Sequence, residues 1–250
     1  MMKRQNIFTD SFGRCFLLFL LVVSLHGLSI GAALAAPRRI LVVNTELPGK
    51  ANGDPLRIDR ALHAASAHQT KIVPWSALTD NFLRSYRPSA IVLSGQNTPW
   101  TDYNQKELMR LCGVLRRTQC PVLGICGGHQ LLAIAFGGRV GLIRRLRPGP
   151  GYTGCVRERG WLPVKIIKPS TIFTGSRTAT VWFNHCDEVK VLPKDFEREI
   201  SDGRTANHAI KHRTRLIYGV QFHPEISSAT HPYGAQLLHQ FLALADTKFR

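Results

Sequence analysis

Between residues 38 and 138 short apolar runs alternate with longer amphipathic stretches. RRILVVN (38–44), KIVPW (71–75), SAIVLSG (89–95) and CPVLGI (120–125) are rich in β-branched residues and too short for helices. They read as strands buried on both faces. PLRIDRALHAASAH (55–68) has Pro near its start and apolar positions at helical spacing. TDYNQKELMRLCGVLRRT (101–118) is a second helix, with Thr101 or Asp102 as N-cap and Arg116-Arg117 in its last turn. GGHQLLAIAFGG (127–138) is a third, closed by Gly137-Gly138. Strands alternating with helices predict an α/β fold with a parallel sheet covered on both faces. After residue 139 the pattern changes to short strands, WLPVKII, ATVWFNH, EVKVL, HAIKH and LIYGVQF, and a last helix runs from about Tyr233 to Ala245. Residues 144–160, rich in Gly and Arg, read as a loop or hairpin.

The N-terminus has a different pattern. Lys3, Arg4 and Arg14 precede an apolar run from Cys15 to Ala36 that ends in Ala33-Leu34-Ala35. A positive n-region, an apolar h-region and an A-x-A site make a secretory signal peptide, residues 1–35, ahead of one domain, residues 36–250. Cutting one residue later would put Pro37 directly after the scissile bond. The competing reading is an uncleaved anchor, which Ser24, His26, Ser29 and two glycines weaken. Cleavage near Ala35-Ala36 implies an exported protein, periplasmic or secreted, with no transmembrane segment in the mature chain.

With 250 residues and 44% hydrophobic composition the chain can bury a core, which excludes disorder over its whole length. No internal repeat is visible, and a single long apolar stretch excludes a polytopic membrane protein. The formal charge is +17; losing residues 1–35 removes three cations and Asp10, leaving +15 on 215 residues. Such a charge bears on solubility and non-specific binding. No nucleic-acid motif or aromatic interleaving accompanies the basic residues, so no specific nucleic-acid partner is expected.

Five cysteines remain after cleavage: Cys112, Cys120, Cys126, Cys155 and Cys186. An odd count in an exported protein suggests one thiol kept free. The chain reverses between Cys112 and Cys120, so a Cys112–Cys120 disulfide is expected. Cys155 and Cys186 either pair or leave Cys186 as a second free thiol. Against this stands the reading of all four as small buried apolar residues.

Two stretches carry chemistry. Gly124-Ile125-Cys126-Gly127-Gly128 lies directly between a buried strand and a helix, the nucleophile-elbow arrangement with Cys in place of Ser. The turn needs small residues around the nucleophile, the Gly127 N–H points toward an oxyanion, and the helix N-terminus favours a thiolate. A buried structural cysteine at a Gly-rich turn is the bland alternative. Gly219-Val220-Gln221-Phe222-His223-Pro224-Glu225 ends a second strand with a His and a carboxylate at i, i+2, on one side of an extended chain. Glu225 can then orient His223 as base for Cys126. A lone strand-end His is more often structural; the conjunction with a Cys elbow is much rarer.

VLGICGGHQLLAIAFGG (122–138), ATVWFNHCDEVKVLP (179–193) and AIKHRTRLIYGVQFHPE (209–225) together resemble the class I glutamine amidotransferases, above all the amidotransferase domain of GMP synthases. The resemblance covers roughly residues 39–245 and implies an open, mostly parallel sheet flanked by helices. It makes Cys126 the nucleophile, His223 the general base and acid, and Glu225 its partner. Gln130 matches a glutamine-binding side chain. Asn184, His185, Cys186 and Asp187 match the segment holding the substrate's α-amino and carboxylate ends. Leu93-Ser94-Gly95-Gln96 matches the loop whose backbone N–H completes the oxyanion hole with Gly127. The family usually has Gly where Gln96 stands, Pro where Asn97 stands and Gly where Cys186 stands. No cofactor or metal is implied.

Three functions compete. The first is a free-standing hydrolase releasing ammonia or an amine from glutamine or another γ-glutamyl amide through a Cys thioester. The second is a glutaminase subunit serving a separate synthase, which requires that the leader is not an export signal; no synthetase domain fits in 215 residues. The third is a polyanion-binding protein on the same scaffold, using Arg38, Arg39, Arg139, Arg144, Arg145, Arg147, Arg157 and Arg159. The sequence favours the first, because export separates the chain from ATP and an intact triad argues against pure binding.

Overall fold

The structure is a computed structural model and describes residues 38–247. The expected signal peptide, residues 1–35, lies outside the described residues. Four strands of the first half form as the apolar runs require: β1 (Arg39–Asn44), β2 (Gln69–Pro74), β3 (Ala90–Leu93) and β4 (Val122–Ile125). Between them lie α1 (Asp54–Ala65), α2 (Asp80–Tyr86) and α3 (Gln105–Arg117), and after β4 comes α4 (Gly127–Ala135). The second half supplies β5 (Arg139–Leu142), β6 (Glu158–Ile166), β7 (Thr178–His185), β8 (Asp187–Val191), β9 (Phe196–Ser201), β10 (Ala209–His212), β11 (Ile217–Val220) and α5 (Tyr233–Thr247). No helix among the described residues is long and apolar enough to cross a membrane.

One nine-stranded sheet has the order β2-β1-β3-β4-β11-β10-β9-β6-β7, and β5 pairs with β8 in a separate ribbon. The strands from β2 to β11 are mutually parallel; from β11 to β7 pairing is antiparallel. β11 is the last strand laid against the parallel half, beside β4, with Val220 opposite Ile125. That pairing delivers the GVQFHPE segment to the Cys126 turn.

The period of two along each strand divides the core. Ile40, Val42 and Val92 face Ile58 and Leu62 of α1 and Phe241 of α5. Leu41, Val43 and Ile91 face Leu111 and Leu115 of α3 and Leu132 of α4. Both faces are covered, which is why these strands read as unbroken apolar runs rather than as alternation.

Three local readings are corrected, and the loop reading of residues 144–160 holds. The third helix in chain order starts at Gln105, capped by Asn104, whose side chain accepts from the N–H groups of Lys106 and Glu107; Thr101 and Asp102 form a separate 3-10 turn. α2 was not expected: it buries no residue fully and is held by Thr79, which caps Phe82. Residues 144–160 are mainly a loop, with Arg145 bridging Cys155 and donating to the carbonyls of Gly149, Gly151 and Thr153 at 2.7–2.8 Å. The Cys112–Cys120 disulfide does not form. Cys112 is a free thiol on the buried face of α3, and burial pushes its pKa up to about 11. The Cys120 thiol donates instead to the Pro88 carbonyl at 3.2 Å. Cys155 and Cys186 are likewise unbridged.

β9 carries a charge into the core. Glu199 is fully buried, and burial raises its pKa to about 7. A carboxyl raised in the folded state favours folding while both states are protonated. That contribution fades as pH climbs past the ordinary glutamate range and through about 7. Glu199→Gln is therefore expected to raise stability at pH 8 by about 2 kcal/mol and to change it little at pH 4. Melting curves at the two pH values check this; equal shifts at both would contradict it.

Candidate active site

Cys126 sits between β4 and α4 at φ 51°, ψ −104°. A non-Gly residue there stores about 1–3 kcal/mol of backbone strain, tolerated only where the surroundings over-determine it. Here the Cys126 N–H donates to the Val220 carbonyl and the Gly128 N–H to the Ser94 carbonyl, both at 2.8 Å. The glycines are steric requirements. A Cβ on Gly124 would lie 2.5 Å from the Gly128 carbonyl oxygen, and one on Gly128 would lie 2.6 Å from Leu93 Cβ and closer still to the Leu93 carbonyl oxygen.

Beyond β11 the chain bends at Gln221 and Phe222 and turns at Pro224-Glu225, and the His223 N–H donates to the Trp182 carbonyl at 2.8 Å. His223 Nδ1 lies 2.7 Å from Glu225 Oε1, and both side chains are buried. Burial disfavours a charged imidazole, but the Glu225 carboxylate and the Cys126 sulfur outweigh it and hold the His223 pKa well above its ordinary value. Nε2 has no other hydrogen-bond partner, which leaves it for that sulfur.

Gly95 packs into the middle of this group. A Cβ there would lie 3.4 Å from Cys126 Cβ, 3.5 Å from His223 Cε1 and 2.6 Å from Asp54 Oδ2. The next N–H, of Gln96, lies 3.0 Å from the Cβ position of Gly127. The N–H groups of Gln96 and Gly127 have no acceptor among the described residues. The Gln96 substitution therefore keeps a backbone donor beside Gly127, and its side-chain oxygen lies over Gly127, buried and unpartnered. Asn97 is pinned by its N–H to Glu46 Oε2 at 2.6 Å, a carboxylate that sequence reading did not single out.

A cavity of about 50 Å³ opens beside Cys126, lined in part by Gln96, Gln130, Asn184, His185 and Cys186. It holds only a few waters. Gln130 has both donors committed, to the Asp187 carbonyl at 2.8 Å and to Gln221 Oε1 at 3.2 Å. The Asn184 carbonyl accepts from Cys126 Sγ at 3.9 Å. His185 has both ring nitrogens engaged, Nδ1 with the Asp187 carbonyl at 2.8 Å and Nε2 with Glu158 at 2.9 Å. Cys186 Sγ accepts from Arg157 Nε at 3.4 Å.

Sequence reading did not assign Tyr152 and Arg157 to the site, which long-range packing brings to this wall, nor Trp100, which supports Gln130 from behind it. Tyr152 Oη donates to Asp187 Oδ2 at 2.7 Å and ties the 144–160 loop over the cavity. Burial raises the Asp187 pKa, and the Tyr152 hydrogen bond opposes that. The wall thus carries one cation, Arg157, and one carboxylate, Asp187, matching the two charged ends of an α-amino acid.

Two groups of described residues have metal-ligand chemistry. Asp54, His223 and Glu225 belong to the site itself, with Asp54 paired to Arg57 at 2.7 Å. Glu158, His185 and His208 are buried together: His185 lies 2.9 Å from Glu158, His208 lies 3.0 Å from Asp202 with burial lowering its pKa, and the exposed Arg204 pairs with Glu158 at 3.4 Å.

A family model, glutamine amidotransferase class-I, matches residues 57–244. A glutamine-hydrolyzing GMP synthase subunit of Pyrococcus furiosus is 34% identical over 174 residues, covering 69% of this chain and 84% of the relative. Its counterpart from Methanocaldococcus jannaschii is 31% identical over 194 residues, covering 77% and 93%. Among solved structures, a Thermoplasma acidophilum protein described as a GMP synthase subunit superposes with TM-score 0.69 at 28% identity, covering 85% of this chain and 96% of that one. A glutamine amidotransferase from Thermotoga maritima shares the fold at TM-score 0.66 and 18% identity, over 83% of this chain and 97% of that one. With its elbow cysteine, its buried His–Glu pair and these matches, the chain belongs to the class I glutamine amidotransferase family.

Proposed function

We propose that the chain hydrolyses the side-chain amide of glutamine through a Cys126 thioester and hands the ammonia to a separate synthase. The observation that carries the chemistry is the elbow cysteine beside the buried His223–Glu225 pair, flanked by the free N–H groups of Gln96 and Gly127. His223 takes the Cys126 proton, and the thiolate attacks the amide carbon. The oxyanion accepts from Gln96 and Gly127. His223 returns the proton to the leaving nitrogen, ammonia departs, and the γ-glutamyl thioester forms. A water, deprotonated by the same imidazole, then releases glutamate. Arg157 and Asp187 supply complementary charge for the α-carboxylate and α-amino group.

The ammonia-supplying role is preferred to the free-standing hydrolase that the sequence alone favours. Its support is the naming of the Pyrococcus and Methanocaldococcus relatives as subunits of glutamine-hydrolyzing GMP synthases. The small cavity is consistent with a site that a partner opens. Glutamate and ammonia released in equal amounts from glutamine test the chemistry. Release from other γ-glutamyl amides with none from glutamine would contradict it.

Export is a competing proposal, because it would separate the chain from an ATP-dependent synthase and restore the free-standing hydrolase; its support is the charged n-region, the apolar run and the A-x-A site of residues 1–36. The mature protein is expected to begin at Ala36 and to be found outside the cytoplasm. N-terminal sequencing of protein from the native host checks this, and intact Met1 on cytoplasmic protein would overturn it.

A further inference from the structure

We propose that Gln221 is a further catalytic residue, whose side-chain amide donates a hydrogen bond to the attacking sulfur. The proposal shares with the proposed function the identity of Cys126 as nucleophile. Gln221 follows Val220, whose carbonyl accepts the Cys126 N–H at 2.8 Å. It precedes His223 by two positions, and the bend through Gln221 and Phe222 carries both side chains to the Cys126 sulfur. The strand end that brings the imidazole to the sulfur therefore brings this amide as well. Gln221 is 0% exposed, and its Nε2 lies 3.7 Å from Cys126 Sγ.

The surrounding network fixes which end of the amide faces the sulfur. Trp100 Nε1 can only donate, and it donates to Gln130 Oε1 at 3.0 Å. Gln130 Nε2 is thereby turned to the Asp187 carbonyl and to Gln221 Oε1. With its oxygen accepting from Gln130, Gln221 presents its NH2 group to Cys126. Three donors in series start at a donor-only indole and end on the nucleophile.

The thiolate is the reactive form, and hydrogen bonds to charged acceptors are the stronger ones. When His223 takes the thiol proton, the Gln221 N–H stabilises the charge left on sulfur without giving up its own proton. The burial of Gln221 keeps water from replacing that bond.

The test is alkylation of Cys126 by iodoacetamide in the whole protein, followed across pH by mass spectrometry of the Cys126 peptide. In Gln221→Met the rate at neutral pH is expected to fall about ten- to a hundredfold, and the profile to move to higher pH. Trp100→Phe, which leaves Gln130 free to turn over, should shift it the same way by less. A folded Gln221→Met protein with the wild-type profile overturns the proposal. If that variant does not fold, an unshifted profile in Trp100→Phe overturns it. Alkylation uses no substrate, so a wild-type protein that reacts at Cys126 but hydrolyses no glutamine would overturn the proposed function and leave the Gln221 assignment standing.

Discussion

Cys126→Ala is expected to lose glutamine hydrolysis by about a millionfold in kcat, because Cys126 is the thiol that meets His223, whereas Cys186 in the same cavity accepts from Arg157. His223→Ala should lose nearly as much. The double variant should be no worse than either, since base and nucleophile act as a unit and their effects do not add. Steady-state glutamate release by the three proteins makes the comparison. The fold should survive: Cys126 bears the strain of φ 51° with an ordinary side chain, and Ala places the same Cβ. Hydrolysis by Cys126→Ala at the wild-type rate would end the covalent mechanism.

Gly128→Ala is expected to have the second largest effect, on stability and activity together. Its Cβ would overlap the Leu93 carbonyl oxygen and lie 2.6 Å from Leu93 Cβ. Those atoms belong to β3, held between β1 and β4, so neither can retreat without unpairing strands. Overpacking of this kind costs about 3 kcal/mol, at the upper end of the usual range. For a domain of this size that lowers Tm by roughly 6–12 °C. The Gly128 N–H to Ser94 bond would be displaced too, and with it the Cys126 turn. Gly203→Ala, where an added Cβ meets nothing within 4 Å, serves as control and should change stability by less than about 0.5 kcal/mol. Equal melting curves for the two variants would contradict the steric account.

The parallel half of the fold was legible because its strands are buried on both faces and so appear as short apolar runs. What escaped had no such signature. α2 buries no residue fully and owes its existence to the Thr79 cap. β9, FEREIS, looks like a charged surface segment, yet places Glu199 in the interior. The Cys112–Cys120 disulfide failed because chain reversal says nothing about which way a side chain points, and Cys112 faces the core. In the site, the elbow and the His-x-Glu pair were legible because each is built within five residues. Tyr152 and Arg157 reach the cavity from the 144–160 loop, and Trp100 reaches Gln130 from a separate turn; no local pattern marks them. Gln221 stands two residues before His223, but the bends at 221–222 and the turn at 224–225 break the strand alternation, so its approach to the sulfur follows from the fold and not from the spacing.

The central claim is that Cys126 becomes γ-glutamylated during turnover. Acid quenching of the protein in the presence of excess glutamine, followed by peptide mass spectrometry, reads this directly. The account predicts one γ-glutamyl group, carried by the peptide containing Cys126, absent from Cys126→Ala and discharged when glutamine is exhausted. Steady release of glutamate with no adduct on Cys126, or with the adduct on another cysteine, would contradict it.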